Sequence, residues 1–455
     1  MPSIIQNEPA TVFEKFHDPT WSRLTLQQCL PDIVGYEGTI QFCDISYLHY
    51  KRFLKPQSRH KSFLSLCYDL SITDHHGHVQ HPTVFAKVYL GDRSQLEFER
   101  LMKNTLPGKS KIHRPLHLAD LGMIVWLFPS DPGLPQLPDL LDPDRVSQYF
   151  PPGYRPIPST NRPQIPHVTR HVVNYRPECR CTIRYYLNGN PDIPGSSMML
   201  FAKTFKDNGR EIFQRMNLLW DLSQQKPNSI KVPKPLSYDE SIHTIWQEGV
   251  VGVPLREVIH PSNYQHYLQS VARGLATLQQ SGLPSSSTIS CHDHVLEFHK
   301  KAQKLSEVFA AGSKILKNLG RMLEELALSD APIPTQLIHG DFHIGQLLAD
   351  NKQVTFFDLD ECAVGDPLQD VANFLVDLHF QAFSSDFRQH MTECFVNAYM
   401  NAVPWDVPQR RLDWHAAIQF TNKVYRSFIQ RKPSFEKDFD RFMMFLKQSH
   451  LSTRD

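Results

Sequence analysis

The 455-residue chain has no long apolar run. The most extended, LGMIVWLF from Leu121 to Phe128, is far too short to cross a bilayer as a helix. It also has little net charge, formally +1, which removes the general electrostatic reason to expect nucleic acid or an anionic membrane as a partner. The N-terminus, MPSIIQNEPATVFEKF, lacks a basic segment followed by an apolar stretch, so no signal peptide is expected. None of the eight cysteines forms a C-x-x-C pair, and the closest two, Cys179 and Cys181, are C-x-C. Reduced thiols in a cytoplasmic protein are therefore expected. A Walker-type G-x-x-x-x-G-K-[ST] is missing too.

What is present is ordinary for a folded chain: 41% hydrophobic and 21% charged residues. At about 100–200 residues per domain, the length allows two or three. Proline is the clearest punctuation. The stretch from Pro129 to Pro166 includes SDPGLPQLPD and YFPPGYRPIP. Proline fixes φ and removes a backbone donor, so this stretch is expected to be irregular or extended.

The regions on either side resemble each other. The first has Lys55-Pro-x-x-Arg59, a strand pattern ending at Leu70, and VFAKVYLGDRSQLEFERLM over Val84–Met102. The second has Arg176-Pro-x-x-Arg180, a strand pattern ending at Leu187, and LFAKTFKDNGREIFQRMNLLWDL over Leu200–Leu222. Each reads as strands, a Phe-Ala-Lys strand, then a helix. This parallel predicts a duplicated β-rich unit. After about Leu255 the period becomes helical. Asn263–Leu283 places apolar residues at Tyr267, Val271, Leu275 and Leu278, with a stop at Gly282 before Pro284. Segments 296–328, 368–402 and 412–447 also read as helices. A β-rich part followed by a helical part predicts a bilobal α+β architecture. The expected divisions are 1–165, 166–254 and 255–455.

Within the last division, LIHG delivers Asp341 into a loop, and a hairpin pattern then ends at Asp358 and Asp360. Carboxylates at adjacent strand ends suit phosphoryl transfer, which needs one to orient the attacking hydroxyl and hard oxygens for magnesium. Here the residues reach a family. His339-Gly-Asp-Phe-His-Ile-Gly-Gln346 resembles the catalytic loop of the aminoglycoside phosphotransferase-like kinases. Phe357-Asp-Leu-Asp360 is similar to their metal-binding strand end, and Gly365-Asp-Pro-Leu-Gln-Asp370 to their G-D-P-x-x-D helix start. The likeness runs from about Asn174 to the C-terminus.

The resemblance implies a protein-kinase-like fold in which Asp341 is the catalytic base. Asp358 and Asp360 become magnesium-site residues, and Asp370 accepts hydrogen bonds from the catalytic-loop backbone. His339 is then a packing and orienting residue. Gln346 stands where the family has Asn, offering the same amide oxygen on a stem one methylene longer. The H-G-D-x-H-x-G-Q form is also similar to the maltokinase branch, which raises a sugar hydroxyl as acceptor.

Such a kinase needs a cation for the nucleotide phosphates, held by a helix carboxylate. Lys203 is expected in that role, with Glu211 as its partner and Asp221 as the fallback. Gln247, Glu248 and Val250 are expected at the hinge beside adenine. Lys87 is the counterpart of Lys203, with Glu97 or Glu99 matching Glu211, but it has no catalytic lobe following directly. The second unit is therefore expected to work on the nucleotide, with the first as a cap, a wall or an interface. The histidine-rich DHHGHVQH (Asp74–His81) and CHDHVLEFH (Cys291–His299) read better as a polar loop and a helix than as metal sites. The expected function is ATP- and magnesium-dependent phosphorylation of a hydroxyl on a small molecule such as a sugar, an amino sugar or an aminoglycoside-like compound. The alternative is a catalytically inactive, kinase-like binding module.

Overall fold

In the computed structural model the two alternating stretches form two separate antiparallel sheets. The structure describes residues 9–53, 55–104, 114–155, 168–187, 198–226, 229–307, 309–329, 334–350 and 353–451. The expected boundary at 165/166 lies outside the described residues.

The first sheet runs, in spatial order, Gly38–Lys51, Phe63–Asp74, Thr83–Tyr89, Met123–Leu127 and Leu116–Leu118, with a short strand at Val79–Gln80 off its side. The second runs Val168–Arg176, Arg180–Leu187, Met198–Phe205, Thr244–Glu248 and Pro235–Asp239. Both orders are first, second, third, fifth, fourth, and in both a helix follows the third strand: Arg93–Asn104 in one, Arg210–Gln225 in the other. Lys87 and Lys203 occupy equivalent places. Lys87 lies between Ser65 and Ile124, and Lys203 between Thr182 and Ile245.

The period of two decides what each face does. Cys181, Ile183, Tyr185, Leu200, Ala202 and Trp246 make one buried face of the second sheet. Arg180, Thr182 and Lys203, at the intervening positions, stand on the other face. The buried face is covered by the proline-rich segment, which is less irregular than its composition suggests. It forms a helical turn at Leu137–Leu140 and a 3-10 turn at Val146–Tyr149. Leu134, Leu137, Leu140, Val146 and Phe150 are fully buried against Tyr185 and Trp246. Prolines set the turns, and leucines spaced three apart supply the apolar surface. The first sheet is covered on both faces. The N-terminal helices Pro9–Glu14, Pro19–Gln28 and Leu30–Val34 pack on one, and Phe98 and Leu101 of its helix lie against Phe85 and Trp126 on the other.

The helical lobe contains Tyr264–Gln279, Cys291–Ser306, Ala310–Ser329, Leu368–Leu378, Ser385–Met400, Gln409–Ile429 and Phe435–Gln448. Three of the segments expected as single helices are each broken in two. Ser384 caps a new helix by accepting from the Phe387 N–H. Arg431, with φ +50°, and Pro433 end the helix that starts at Gln409. The hairpin Leu347–Asp350/Gln353–Phe356 lies on the first of these helices. There a Cβ at Gly274 would stand 2.7 Å from the Phe356 ring, so a glycine permits the close approach. Among the described residues no helix is long and apolar enough to cross a membrane.

Candidate active site

The loop after the short strand Gln336–Ile338 is fixed by one buried carboxylate. Asp370, fully buried in the helix Leu368–Leu378, accepts from the backbone N–H of His339 at 2.7 Å and of Gly340 at 3.0 Å. Burial pushes its carboxyl up, and the two backbone bonds and the nearby His339 ring oppose that. Gly340 has φ +86°, and a Cβ there would lie 2.2 Å from the Glu361 carbonyl oxygen. Only glycine fits this position.

His339 is itself fully buried, and its Nε2 lies 3.1 Å from the Phe357 carbonyl, so Nε2–H donates. That bond ties the loop to the residue just before Asp358. Asp341 follows as the most exposed acid of the loop. His343 Nδ1 accepts from the Gly345 N–H at 3.1 Å, which leaves Nε2–H directed towards Asp341 at 3.8 Å, beyond hydrogen-bond range. Burial lowers the pKa of His343, against the opposing pull of Asp341 and Asp377.

Asp358 sits at φ +59°, a left-handed conformation that costs a non-glycine residue about 1–2 kcal/mol. The turn brings Asp358 and Asp360 to one cluster of cations. Lys203 Nζ pairs with Asp358 and lies 2.5 Å from Asp360. Arg180 reaches Asp360 at 2.9 Å and Asp358 at 3.8 Å. Gln346 Nε2 donates to Asp358 at 3.0 Å. Burial alone would raise the Asp358 carboxyl, but Lys203, Arg180 and the Gln346 amide outweigh it and hold the pKa at about 2. A third cation, the buried Arg215, donates to the Asp360 carbonyl at 2.8 Å.

Several placements differ from expectation. Glu211 is not the partner of Lys203. It accepts from the Ser286 hydroxyl at 2.6 Å, and the inward residue on that helix is Arg215. The fallback Asp221 is exposed near the far end of the same helix. The lysine turns to Asp358 and Asp360 because two carboxylates on one tight turn attract it more than one on a helix face. Gln247 and Glu248 end a central strand leading into the helical lobe. The amides of Glu248 and Gly249 already donate to the carbonyls of Lys234 and Met199.

Arg180 was not singled out from sequence, although its signal was available as the arginine of the second Pro-x-x-Arg element. Arg215 left no such trace. The two histidine-rich stretches behave structurally. Asp74 accepts from the amides of His76 and His78 in a turn, and Asp293 completes a capping box with Ser290. Among the described residues no three His, Cys, Asp or Glu side chains form a metal cluster. A cavity of about 660 Å³ between Tyr264–Gln279 and Ser385–Met400, lined by Arg273, Glu393 and Asn397, holds none of the candidate residues.

Residues 208–403 match the model of the APH phosphotransferase enzyme family. This segment is similar to that phosphotransferase family. The match takes in the loop, both acidic turns and most of the helical lobe, and Lys203 lies just upstream of it. The expectation of an enzyme that phosphorylates small-molecule hydroxyls accords with this match.

Similar solved structures include a choline/ethanolamine kinase family protein from Mesorhizobium loti, with 14% identity and TM-score 0.44, covering 64% of this chain and 92% of that one. A second is a thermostable mutant of aminoglycoside phosphotransferase APH(4)-Ia in complex with ADP and hygromycin B, with 16% identity and TM-score 0.46, covering 63% and 95%. A third is a choline kinase from Cryptosporidium parvum Iowa II, with 12% identity and TM-score 0.46, covering 67% and 93%. No curated protein matches the chain.

Proposed function

We infer that the phosphotransferase domain moves the γ-phosphate of ATP to a hydroxyl of a small molecule, with magnesium. One observation carries this reading: Lys203 and Arg180, from one face of a sheet, converge on Asp358 and Asp360 of the helical lobe, beside the loop that presents Asp341. A structural ion pair needs one cation and one acid. Two of each, at the junction of two lobes and next to a half-exposed carboxylate, suit a site that exchanges partners when a polyanion and a cation enter.

The donor set fits magnesium. Asp358, Asp360 and Gln346 offer hard oxygens, and the Lys203 ammonium between the two carboxylates supports a site of negative potential there. A half-turn of the Gln346 amide would present its oxygen in place of its nitrogen. Magnesium keeps water and phosphate oxygens in its shell, so few protein ligands suffice. When bound it would neutralise charge on the phosphates.

The protein's own groups do the rest. Lys203 and Arg180, released from the carboxylates, hold the phosphate oxygens. Asp341 orients the acceptor hydroxyl and takes its proton as the new phosphorus–oxygen bond forms and the bond from the γ-phosphorus to the β,γ-bridging oxygen breaks, with ADP leaving. His339 and Asp370 keep the loop and the Asp358 strand end in register. At the hinge, adenine recognition falls to Val250 and to backbone carbonyls, because the Glu248 amide is already committed.

The acceptor class is a sugar, an amino sugar or an aminoglycoside-like hydroxyl compound. The test is magnesium-dependent ATP turnover across a panel of such compounds. Turnover that disappears in Asp341→Ala, with nucleotide binding retained, is the expected result. Nucleotide binding without turnover on any acceptor would favour the inactive binding module, for which Gln346 at the asparagine position is the supporting feature.

A further inference from the structure

The first sheet presents its lysine to a different partner. Lys87 Nζ forms an ion pair with Glu178, which sits at the tip of the hairpin between Val168–Arg176 and Arg180–Leu187 of the second sheet. Both ends of this pair are sheltered, with side-chain exposures of 14% and 32%. The Lys87 ammonium also lies 5.2 Å from the Phe63 ring centroid.

The same tip is held a second time. Asp131 accepts from the Glu178 N–H at 2.8 Å, the Tyr175 hydroxyl at 2.7 Å and the Gly133 N–H at 2.6 Å. Glu178 itself has φ +56°. A Cβ at Gly133 would lie 2.5 Å from its Cα, so the linker backbone is pressed against it. Two residues further on is Arg180, which contacts Asp360 and Asp358. The far side of the first unit is anchored to the helical lobe: Arg52 pairs with Glu307 at 3.0 Å, and the Arg431 guanidinium covers the Tyr50 ring.

We propose that the first β-unit is a brace for the active site, in which Lys87 holds the Glu178 hairpin tip and so positions Arg180 against the Asp358–Asp360 turn. Lys87 and Glu178 are positioning residues under this inference, because neither touches the reacting groups. The inference rests on the nucleotide reading above. It explains a lysine retained in a sheet without a catalytic lobe of its own, and a hairpin tip at positive φ that a shorter turn residue would fill more easily. The ion pair replaces the nucleotide as the occupant of the lysine.

The test is a cycle of Lys87→Met, Arg180→Ala and the double variant in the full chain. Its readouts are Mg-ADP affinity by calorimetry and hydrogen exchange of the hairpin. The brace predicts that Lys87→Met weakens Mg-ADP binding by about threefold to tenfold and speeds exchange over 175–182. It also predicts that the loss largely vanishes when Arg180 is already alanine, since coupled sites are non-additive. The charge exchange Lys87→Glu with Glu178→Lys should recover part of the affinity, which a variant that merely failed to fold could not do. Additive losses in Lys87→Met and Arg180→Ala, with unchanged hairpin exchange, would overturn the brace while leaving the nucleotide reading intact. Absence of Mg-ADP binding in the wild-type protein would overturn both.

Discussion

Two sheets of the same strand order carry a lysine at the same place, and of these two lysines Lys203 meets the Asp358–Asp360 turn of the helical lobe. Lys203 faces Asp358 and Asp360, whereas Lys87 faces Glu178. In neither sheet does the lysine pair with the helix that follows it: Glu97 pairs with Arg93 and Arg100, and Glu211 bonds to Ser286. Sheet topology therefore places a cation but does not choose its partner. The partner is set by what the opposite lobe brings to it, here two carboxylates on one tight turn. The first sheet is covered on both faces, and its lysine serves an internal contact with Glu178.

The largest expected effect breaks this comparison at its catalytic end. Asp341→Ala should lower turnover by about a hundredfold or more, the scale of a lost general base, while Lys87→Met should lower it by about tenfold or less. Steady-state kinetics with one acceptor decides between them, and equal losses would contradict the division of labour. Next is the loop itself. Gly340→Ala forces a Cβ into the Glu361 carbonyl at positive φ and should cost about 2–4 kcal/mol in urea unfolding. Asp370→Ala leaves two buried backbone N–H groups unsatisfied and should cost about 2–5 kcal/mol.

The last effect is on pH. His17 under the first sheet and His294 and His379 in the helical lobe are each held at about 4, chiefly by burial. A folded pKa below the unfolded value of about 6.5 means that the unfolded chain binds more protons between these limits. Stability is therefore full above pH 6.5 and falls as the pH drops towards 4, by up to about 1.4 kcal/mol per pH unit for each ring. Urea unfolding at pH 7 and pH 5 should show the loss together with proton uptake, and equal stability at the two values would count against the burial of these rings.

Much of this was legible in the sequence, for physical reasons that differ by residue. The repeated order of a Pro-x-x-Arg element, strands, a Phe-Ala-Lys strand and a helix exposed both sheets, because two units of one topology leave the same pattern twice. The H-G-D loop and the two acidic turns were legible because backbone geometry there admits few residues: glycine at 340, and a carboxylate at 370 to hold two amides. The proline-rich segment is as irregular as expected outside its two short helical turns, but its prolines mask the leucines that pack on the second sheet. Glu211 was misjudged because helix position alone does not tell which of several acids a lysine will choose. Arg215 was invisible, since its partner is a backbone carbonyl more than a hundred residues away.

The central claim is that Lys203, and not its counterpart Lys87, holds the nucleotide phosphates. Calorimetry of Mg-AMP-PNP on the wild-type protein, Lys203→Met and Lys87→Met tests it directly. The account predicts tight binding by the wild type, a loss of about a hundredfold or more in Lys203→Met, and a loss of at most about tenfold in Lys87→Met. Equal losses in the two variants, or a larger loss in Lys87→Met, would contradict it.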